Sequence, residues 1–598
     1  MHAIGRVAVG AVLALLASSG MGAATEAISQ SHEQVAAFAR LYGVVRYFYP
    51  GDTARDIDWN RFAVAGVSDA QQAHGSADLQ GKLSALFEPL GPGIDIVADA
   101  ATFPALPLDT ATQPLVAWRY LGFPARDPAY ARERTSRAAI SQLTGIATNP
   151  HGESGARTLF DAPPVAGKTA EFPLGDGLKA RVALTLTDAQ ARPMPDRATA
   201  LAALKARLAA LPDPKTGMAS SAVREADIVV AWNVFRHFYP YWDVIHVDWN
   251  DALPRALADA DKADSRPAQK RALQRLQAPL EDAHGTVVDT TVKKWASLPI
   301  ALEPVEHQWV VVATTVPDQA HVGDVITSID GVAMPQARER AEALMSGQPS
   351  KRPWKASQGL QWGPASESHT FGLVHANGSA STVSLAYTEQ TGPLAARPAP
   401  ITELKPGIWY VDAARTDIAQ FSANFAQMAS ARAVIYDVRG YPKDFNVSHA
   451  IVAHLLDHAE NAKWMHIPRY VGPFGELAGY KDEGWDIQPA IPHFTSHAIF
   501  LVNGNTMSQA ESIMGYVQDE KLGTIVGATT GGVNGDITSF YVPLGFRLIF
   551  TGMKVTHHDG VSRYHALGTS PDVAVSPTIA GIRAGRDEVL EAALKLAK

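Results

Sequence analysis

Apolar residues recur at three- and four-residue spacing through HEQVAAFARLYGVVRYF (32–48) and again through EADIVVAWNVFRHF (225–238), the period of a helix with one buried face. Each run stops just before a proline, Pro50 and Pro240, which cannot continue a helix. The two runs belong to a longer repeat. RYFYPGDTARDIDWN (46–60) returns as RHFYPYWDVIHVDWN (236–250), displaced by 236 − 46 = 190 residues, and the register holds through Leu83/Leu273, Leu86/Leu276 and Pro89-Leu90/Pro279-Leu280. One helical module is therefore present twice, and its matched aromatics are expected in the core. After Pro-Leu the copies part: the first reads GPGIDIV and the second EDAHGTV, so that Ile94 stands where His284 stands. An apolar residue in one copy and an imidazole in the other marks His284 as a side chain with a use of its own.

Between the copies, residues 105–190 alternate apolar and polar over LVAWRYLGF, TAEFPL and LKARVALTLT, which predicts an inserted antiparallel β unit. An Ala/Leu helix and linker (194–217) leads into the second copy. Residues 305–395 carry short β-branched runs, VGDVITSIDGVAM (322–334), and a hairpin pattern with an Asn377-Gly378 turn. From 404 onward the order becomes strand, helix, strand, helix: IWYVDAA, a helix over about 418–429, RAVIYDVRG, NVSHAIVAHLL, HAIFLVN and the helix that follows Ser508. That alternation predicts a mostly parallel sheet covered by helices, with its reactive loops at the carboxyl ends of the strands.

At 598 residues the chain exceeds one core, since domains run to about 150 residues each. The reading divides it into a leader (1–24), a first helical module (28–104), a β-rich insertion (105–193), a second helical module (194–303), a further β domain (304–398) and an α/β core (399–598). The leader, MHAIGRVAVGAVLALLASSGMGAATEA, has one early arginine, an apolar stretch of about a dozen residues and small residues at Gly22 and Ala24, the layout of a secretory signal peptide. A periplasmic or secreted protein is expected, and the lack of any cysteine is compatible with it. A net charge of −8 without a Lys/Arg cluster disfavours nucleic acid and anionic membranes, and no later apolar run is long enough to span a bilayer.

Ser508 opens its helix with SQAE, a Ser-x-x-Glu capping box, and on that ground alone it reads as a helix cap. The same position also suits a nucleophile, because the unpaired N–H groups and positive dipole of a helix start can meet a developing oxyanion. Taken together, VIYDVRGYP, FLVNGNTMSQAESIMGYVQDEKLGTIVGATTGG, YVPLGFRLIFTGMKVTHHDGV and LGTSPDVAV resemble, in order and spacing, the C-terminal processing (tail-specific) serine peptidases. The resemblance extends over roughly 220–598, and VGDVITSIDG (322–331) resembles the PDZ domain of that family. It implies a multidomain α/β protein: a ClpP/crotonase-like αβ peptidase core, a PDZ-like β domain, and the duplicated helical modules with their inserted β domain.

The resemblance implies Ser508 as nucleophile and Glu511 as a structural residue. The lysine of the family's Ser–Lys branch is replaced by Val533, so the tricorn-like histidine branch is the nearer one, with His284 in LEDAHGTV as general base. The backbone N–H groups of Gly440 and Gln509 are the expected oxyanion hole. The serine that precedes the base in that branch is Ala283 here, leaving Asp282 to orient the ring, and the branch's glutamate is replaced by His565. The expected function is that of an exported serine endopeptidase acting on peptides or proteins, without cofactor. The alternative is a catalytically impaired member that binds a peptide or another ligand. The chain contains no Gly-x-Ser-x-Gly elbow, His-Glu-x-x-His, phosphate loop or dinucleotide fingerprint. THHDG (556–560) is read as an exposed turn, and no metal is expected.

Overall fold

The computed structural model describes residues 30–105, 114–123, 131–135, 160, 162–365, 367–389 and 391–597. The expected leader lies outside them. None of the described helices is long and apolar enough to cross a membrane.

The repeat is visible as two helical modules in register. Helices Gln30–Phe48, Trp59–Gln71 and Ser76–Phe87 correspond to Ser221–Phe238, Trp249–Asp261 and Arg266–Gln277, and each triplet ends in a 3-10 turn, Glu88–Leu90 and Ala278–Leu280. Asp58 and Asp248 cap the second helix of their copies through the same pair of backbone N–H groups. Equivalent side chains also do equivalent work: the Tyr42 hydroxyl donates to Trp59 O, and Trp232 Nε1 to Trp249 O. The two copies pack on each other where Gly43 meets its own counterpart, Asn233. A Cβ on Gly43 would fall 1.8 Å from Asn233 Oδ1, so the close approach requires glycine.

The C-terminal half is built on a six-stranded sheet ordered Ile401–Lys405, Ile408–Asp412, Ala433–Asp437, His497–Val502, Thr524–Gly527 and Val573–Ala574. The first pair is antiparallel and the others parallel. Its central strands are buried on both faces, as their unbroken apolar runs require. Helices Phe445–Leu455 and Gln509–Asp519 cover one face, and Glu588–Leu596 the other. The helix expected over 418–429 is two short ones, Ile418–Ser422 and Phe425–Ala429. An all-antiparallel sheet runs through Ile300–Val305, Gln308–Thr314, Val325–Ile329, Ser368–Val374 and Ala380–Ala386. Its last hairpin turns at Asn377-Gly378, with Gly378 at φ 83°.

The insertion departs from the single β unit expected. Thr169–Gly175 and Leu178–Ala183 extend the Ile94–Ala98 strand of the first module, and Leu115–Val116 pairs with Leu186–Thr187. Trp118–Leu121 joins Met465–Tyr470 of the C-terminal half instead. Alternation gives each strand a buried face but does not choose its partner, and here partners far along the chain win.

The same rule delivers the second module to the core. Strand Thr286–Asp289 adds to the hairpin Ile537–Tyr541/Phe546–Thr551, with Thr286 opposite Ile549 and Asp289 opposite Phe546. Phe540, Phe546, Leu548 and Phe550 of that hairpin share one apolar cluster with the helical modules. His284 sits two residues before this strand, and Thr551 at the far end of its partner.

Candidate active site

Strand His497–Val502 runs out into Asn503–Met507, a loop folded on itself: Asn505 N donates to Asn503 Oδ1 (2.9 Å), Thr506 N to Asn503 O (2.9 Å) and Thr506 Oγ1 to Val438 O (2.8 Å). Ser508 follows at φ 54° and ψ −122°, a backbone that costs a non-glycine residue about 1–3 kcal/mol. Its N–H donates to Val533 O (2.8 Å), and its side chain makes no capping bond. The capping box spelled by SQAE is therefore not formed. Glu511 turns to the 530–533 loop instead: Oε1 accepts from the Thr530 hydroxyl and from Gly532 N (2.7 Å), and Oε2 from Val533 N (2.8 Å). Burial lifts this carboxyl to about 7, with the three donors and Lys351 pulling the other way. Glu511 thus shapes the loop whose Val533 carbonyl holds the Ser508 backbone.

His284 is half-buried and built into a chain of hydrogen bonds. Its Nδ1 lies 2.9 Å from Thr551 Oγ1, and that hydroxyl donates to Asp282 Oδ1 at 2.8 Å. Asp282 is fully buried and takes two backbone donors as well, Thr551 N (2.7 Å) and His284 N (3.0 Å). A hydroxyl has one hydrogen, and Thr551 spends it on the carboxylate. It can then only accept from His284, so the proton of the neutral ring belongs on Nδ1 and the lone pair on Nε2. Burial pushes this imidazole down to about 4; Asp282 opposes the shift, and Lys355 and Lys351 add to it. The ring is neutral at pH 7.

Two further residues frame the site from one helix. Lys351 Nζ donates to Gly504 O (2.5 Å) in the loop before Ser508; Lys355 Nζ donates to Ser346 O (2.9 Å) and to Gly285 O, beside His284. Burial lowers Lys351 to about 8 and Lys355 to about 7. A cavity of about 860 Å³ opens here, walled by His284 on one side and by Met507, next to Ser508, on another; Trp309, Met345, Ile537 and Ile549 make it largely apolar.

The remaining sequence candidates have different surroundings. Gly440 follows Arg439, which clamps Asp437 and Asp587 at 2.7 Å each, and it packs so that a Cβ would come 2.8 Å from Ala414 Cβ. The Gln509 side chain donates to Ser448 Oγ (3.0 Å). Among the described residues, neither Gly440 N nor Gln509 N donates a hydrogen bond. His565 is buried, stacked on Tyr241 at 3.7 Å, with Nε2 3.3 Å from the Tyr239 hydroxyl. Burial takes it to about 4, in the combined fields of Asp282 and His284. The THHDG pair is not the exposed turn expected: His557 bonds Asp519 at 3.1 Å, and His558 lies flat on Trp464.

Sequence reasoning did not find Thr551, Lys351 or Lys355. A threonine in LIFTGMKV reads as an ordinary β-branched strand residue, and nothing local announces a partner 267 positions away. The lysines carry a weak signal in hindsight, a spacing of four at a helix start, which aims both along one side.

Residues 458–575, from just before the Met465–Tyr470 strand to the last strand of the parallel sheet, match the sequence profile of Peptidase family S41. No curated protein matches the chain. Among solved structures, mature CPAF complexed with lactacystin is similar with a TM-score of 0.51 at 13% identity, covering 63% of this chain and 97% of that one. Mature CPAF gives 0.50 at 14% identity over 63% and 96%. The photosystem II D1 C-terminal processing protease gives 0.37 at 18% identity over 59% and 93%. The CPAF likeness is one of fold, an α/β peptidase fold, and the profile match is that of a peptidase.

Proposed function

We propose that this chain is an exported serine endopeptidase in which Ser508 is the nucleophile and His284 the general base, acting on peptide or protein substrates. The observation that carries the reading is the Asp282–Thr551–His284 chain, which leaves Nε2 as the basic atom of a neutral imidazole at a cavity that Met507, the residue before Ser508, also lines. A serine hydroxyl is a weak nucleophile until a neighbouring base takes its proton.

In this mechanism the substrate carbonyl lies in the cavity and Ser508 Oγ attacks it as His284 Nε2 accepts the hydroxyl proton. Gly440 N–H and Gln509 N–H, free of other partners, receive the oxyanion, each contributing roughly 3–4 kcal/mol of transition-state stabilisation. His284 then protonates the leaving amine, and the same base activates water to hydrolyse the acyl-enzyme. Asp282, acting through Thr551, orients the ring and offsets its positive charge in the transition state. His565 supports Tyr239 and Tyr241 behind the base. The antiparallel sheet of residues 300–386 fits a PDZ-like role in presenting substrate to the apolar cavity.

Labelling with a serine-directed phosphonate tests the reading. Modification of Ser508, lost in Ser508→Ala and slowed at least about 100-fold in His284→Ala, is the expected result. An unlabelled wild-type protein that still binds peptides would instead identify a catalytically silent binding protein.

A further inference from the structure

At the end of the Gln509–Asp519 helix remote from Ser508, three segments converge. Glu460 lies beyond the Phe445–Leu455 helix, paired with Ile487; Glu520 is the C-cap of Gln509–Asp519; His558 follows the Lys554–Val555 strand. One ligand atom from each of the three lies within 4.8 Å of the others. His458, on the surface, brings Nε2 to 3.3 Å from Glu520 Oε2.

Two of these groups are buried with an atom left over. Glu460 is 5% exposed; its Oε1 accepts from Ala462 N (2.6 Å), while Oε2 meets no donor of normal geometry, although the Tyr516 hydroxyl stands beside the carboxylate. His558 Nδ1 is likewise buried and unpartnered, 3.7 Å from Glu460 Oε1. That gap is too long for an N–H···O bond. It is close to the spacing of two ligands on one ion, since bonds of about 2.0–2.1 Å at tetrahedral angles set ligand atoms about 3.3 Å apart.

The ring is also held in place for such a task. It stacks on Trp464 (5.7 Å, 11°), meets the Tyr516 ring edge-on (4.4 Å), and its backbone N donates to Asp519 Oδ2 (2.9 Å).

We propose that Glu460, Glu520 and His558 hold one divalent transition-metal ion. An N/O set of two carboxylates and one imidazole, with no sulfur, suits Zn²⁺. The ion would tie the far end of the Ser508 helix to two segments, adding to the bonds that Asp519 already makes with His557 and His558, a structural role separate from the chemistry at Ser508.

The test uses the full chain, stripped with chelator and titrated with Zn²⁺ alone. One equivalent is expected to bind and to raise the melting temperature, and both effects should fall at least about 100-fold in affinity in Glu460→Gln. Glu520→Gln, at the half-exposed helix end, provides a variant that does not disturb the buried pair and should show the same loss. A second grouping, His321, Asp324 and His375, supplies the control. Zinc binding that survives both glutamate variants, or that disappears only in His321→Ala, overturns the proposal.

Discussion

Replacing Thr551 by valine probes the relay with little change in shape. The substitution removes the hydroxyl that joins His284 Nδ1 to Asp282 Oδ1 and leaves the backbone bond from residue 551 to Asp282 Oδ2 in place. Asp282 keeps two backbone donors, so the fold survives. The lost hydroxyl-to-carboxylate bond is worth about 1.5–3 kcal/mol, and the buried Nδ1–H is left without an acceptor at about 1–3 kcal/mol more. The first cost is borne by either tautomer; only the second falls on the tautomer that leaves Nε2 free. The imidazole can escape it only by moving its proton to Nε2, where it no longer serves as a base. A penalty of about 1.4–2.8 kcal/mol on the competent tautomer predicts a kcat lower by about 10- to 100-fold, with KM changed little. Steady-state hydrolysis of a fluorogenic peptide, or the second-order rate of phosphonate labelling, measures this directly. Thr551→Ser should recover most of the rate. If Thr551→Val retains kcat within about twofold of the parent, the hydroxyl does not orient the base and the reasoning fails.

Four other outcomes follow from the same geometry. Because His284 titrates at about 4, kcat/KM should hold level from neutral pH down to about 5 and fall only as pH drops through about 4; an acid limb near the ordinary histidine value of 6.5 would contradict its burial. Stability has the same sign: His284, His558 and His565 all sit at about 4 when folded, so the unfolded chain binds more protons below pH 6.5, and melting temperature should decline between pH 6.5 and 4, whereas a flat profile would show these rings to be solvated. Ser508→Gly should abolish activity yet raise thermal stability by about 1 kcal/mol, because glycine accepts φ 54° without penalty; a destabilised variant would mean that the elbow is not strained. Glu511→Ala strands three donors, from Thr530, Gly532 and Val533, and should cost about 3 kcal/mol or more together with the activity, read by calorimetry and peptide hydrolysis; an unchanged melting temperature would refute its structural role.

Much of the architecture was legible because it is written twice. The 190-residue repeat fixes three helices and a turn in each copy, and the divergence at Ile94/His284 singles out a position where the copies part. The parallel sheet was legible too, since strands buried on both faces carry unbroken apolar runs. What stayed hidden depends on partners distant in the chain. The SQAE tetrad is the same four letters whether Glu511 reaches back to the helix start or across to residues 530–533, and only the packed structure chooses. Alternating strands of the insertion look alike from the sequence, yet Trp118–Leu121 and Ala131–Arg134 join the C-terminal half while Thr169–Gly175 and Leu178–Ala183 stay with the first module. His558 was read as an exposed turn residue because nothing local predicts the indole of Trp464 above it.

The strand next to His284 has a temporal consequence. Thr286–Asp289 pairs only with Phe546–Thr551, which lies within the last tenth of the polypeptide, and Thr551 itself completes the relay. A nascent chain emerging from the ribosome therefore holds its histidine without an orienting partner until almost all of it has been made.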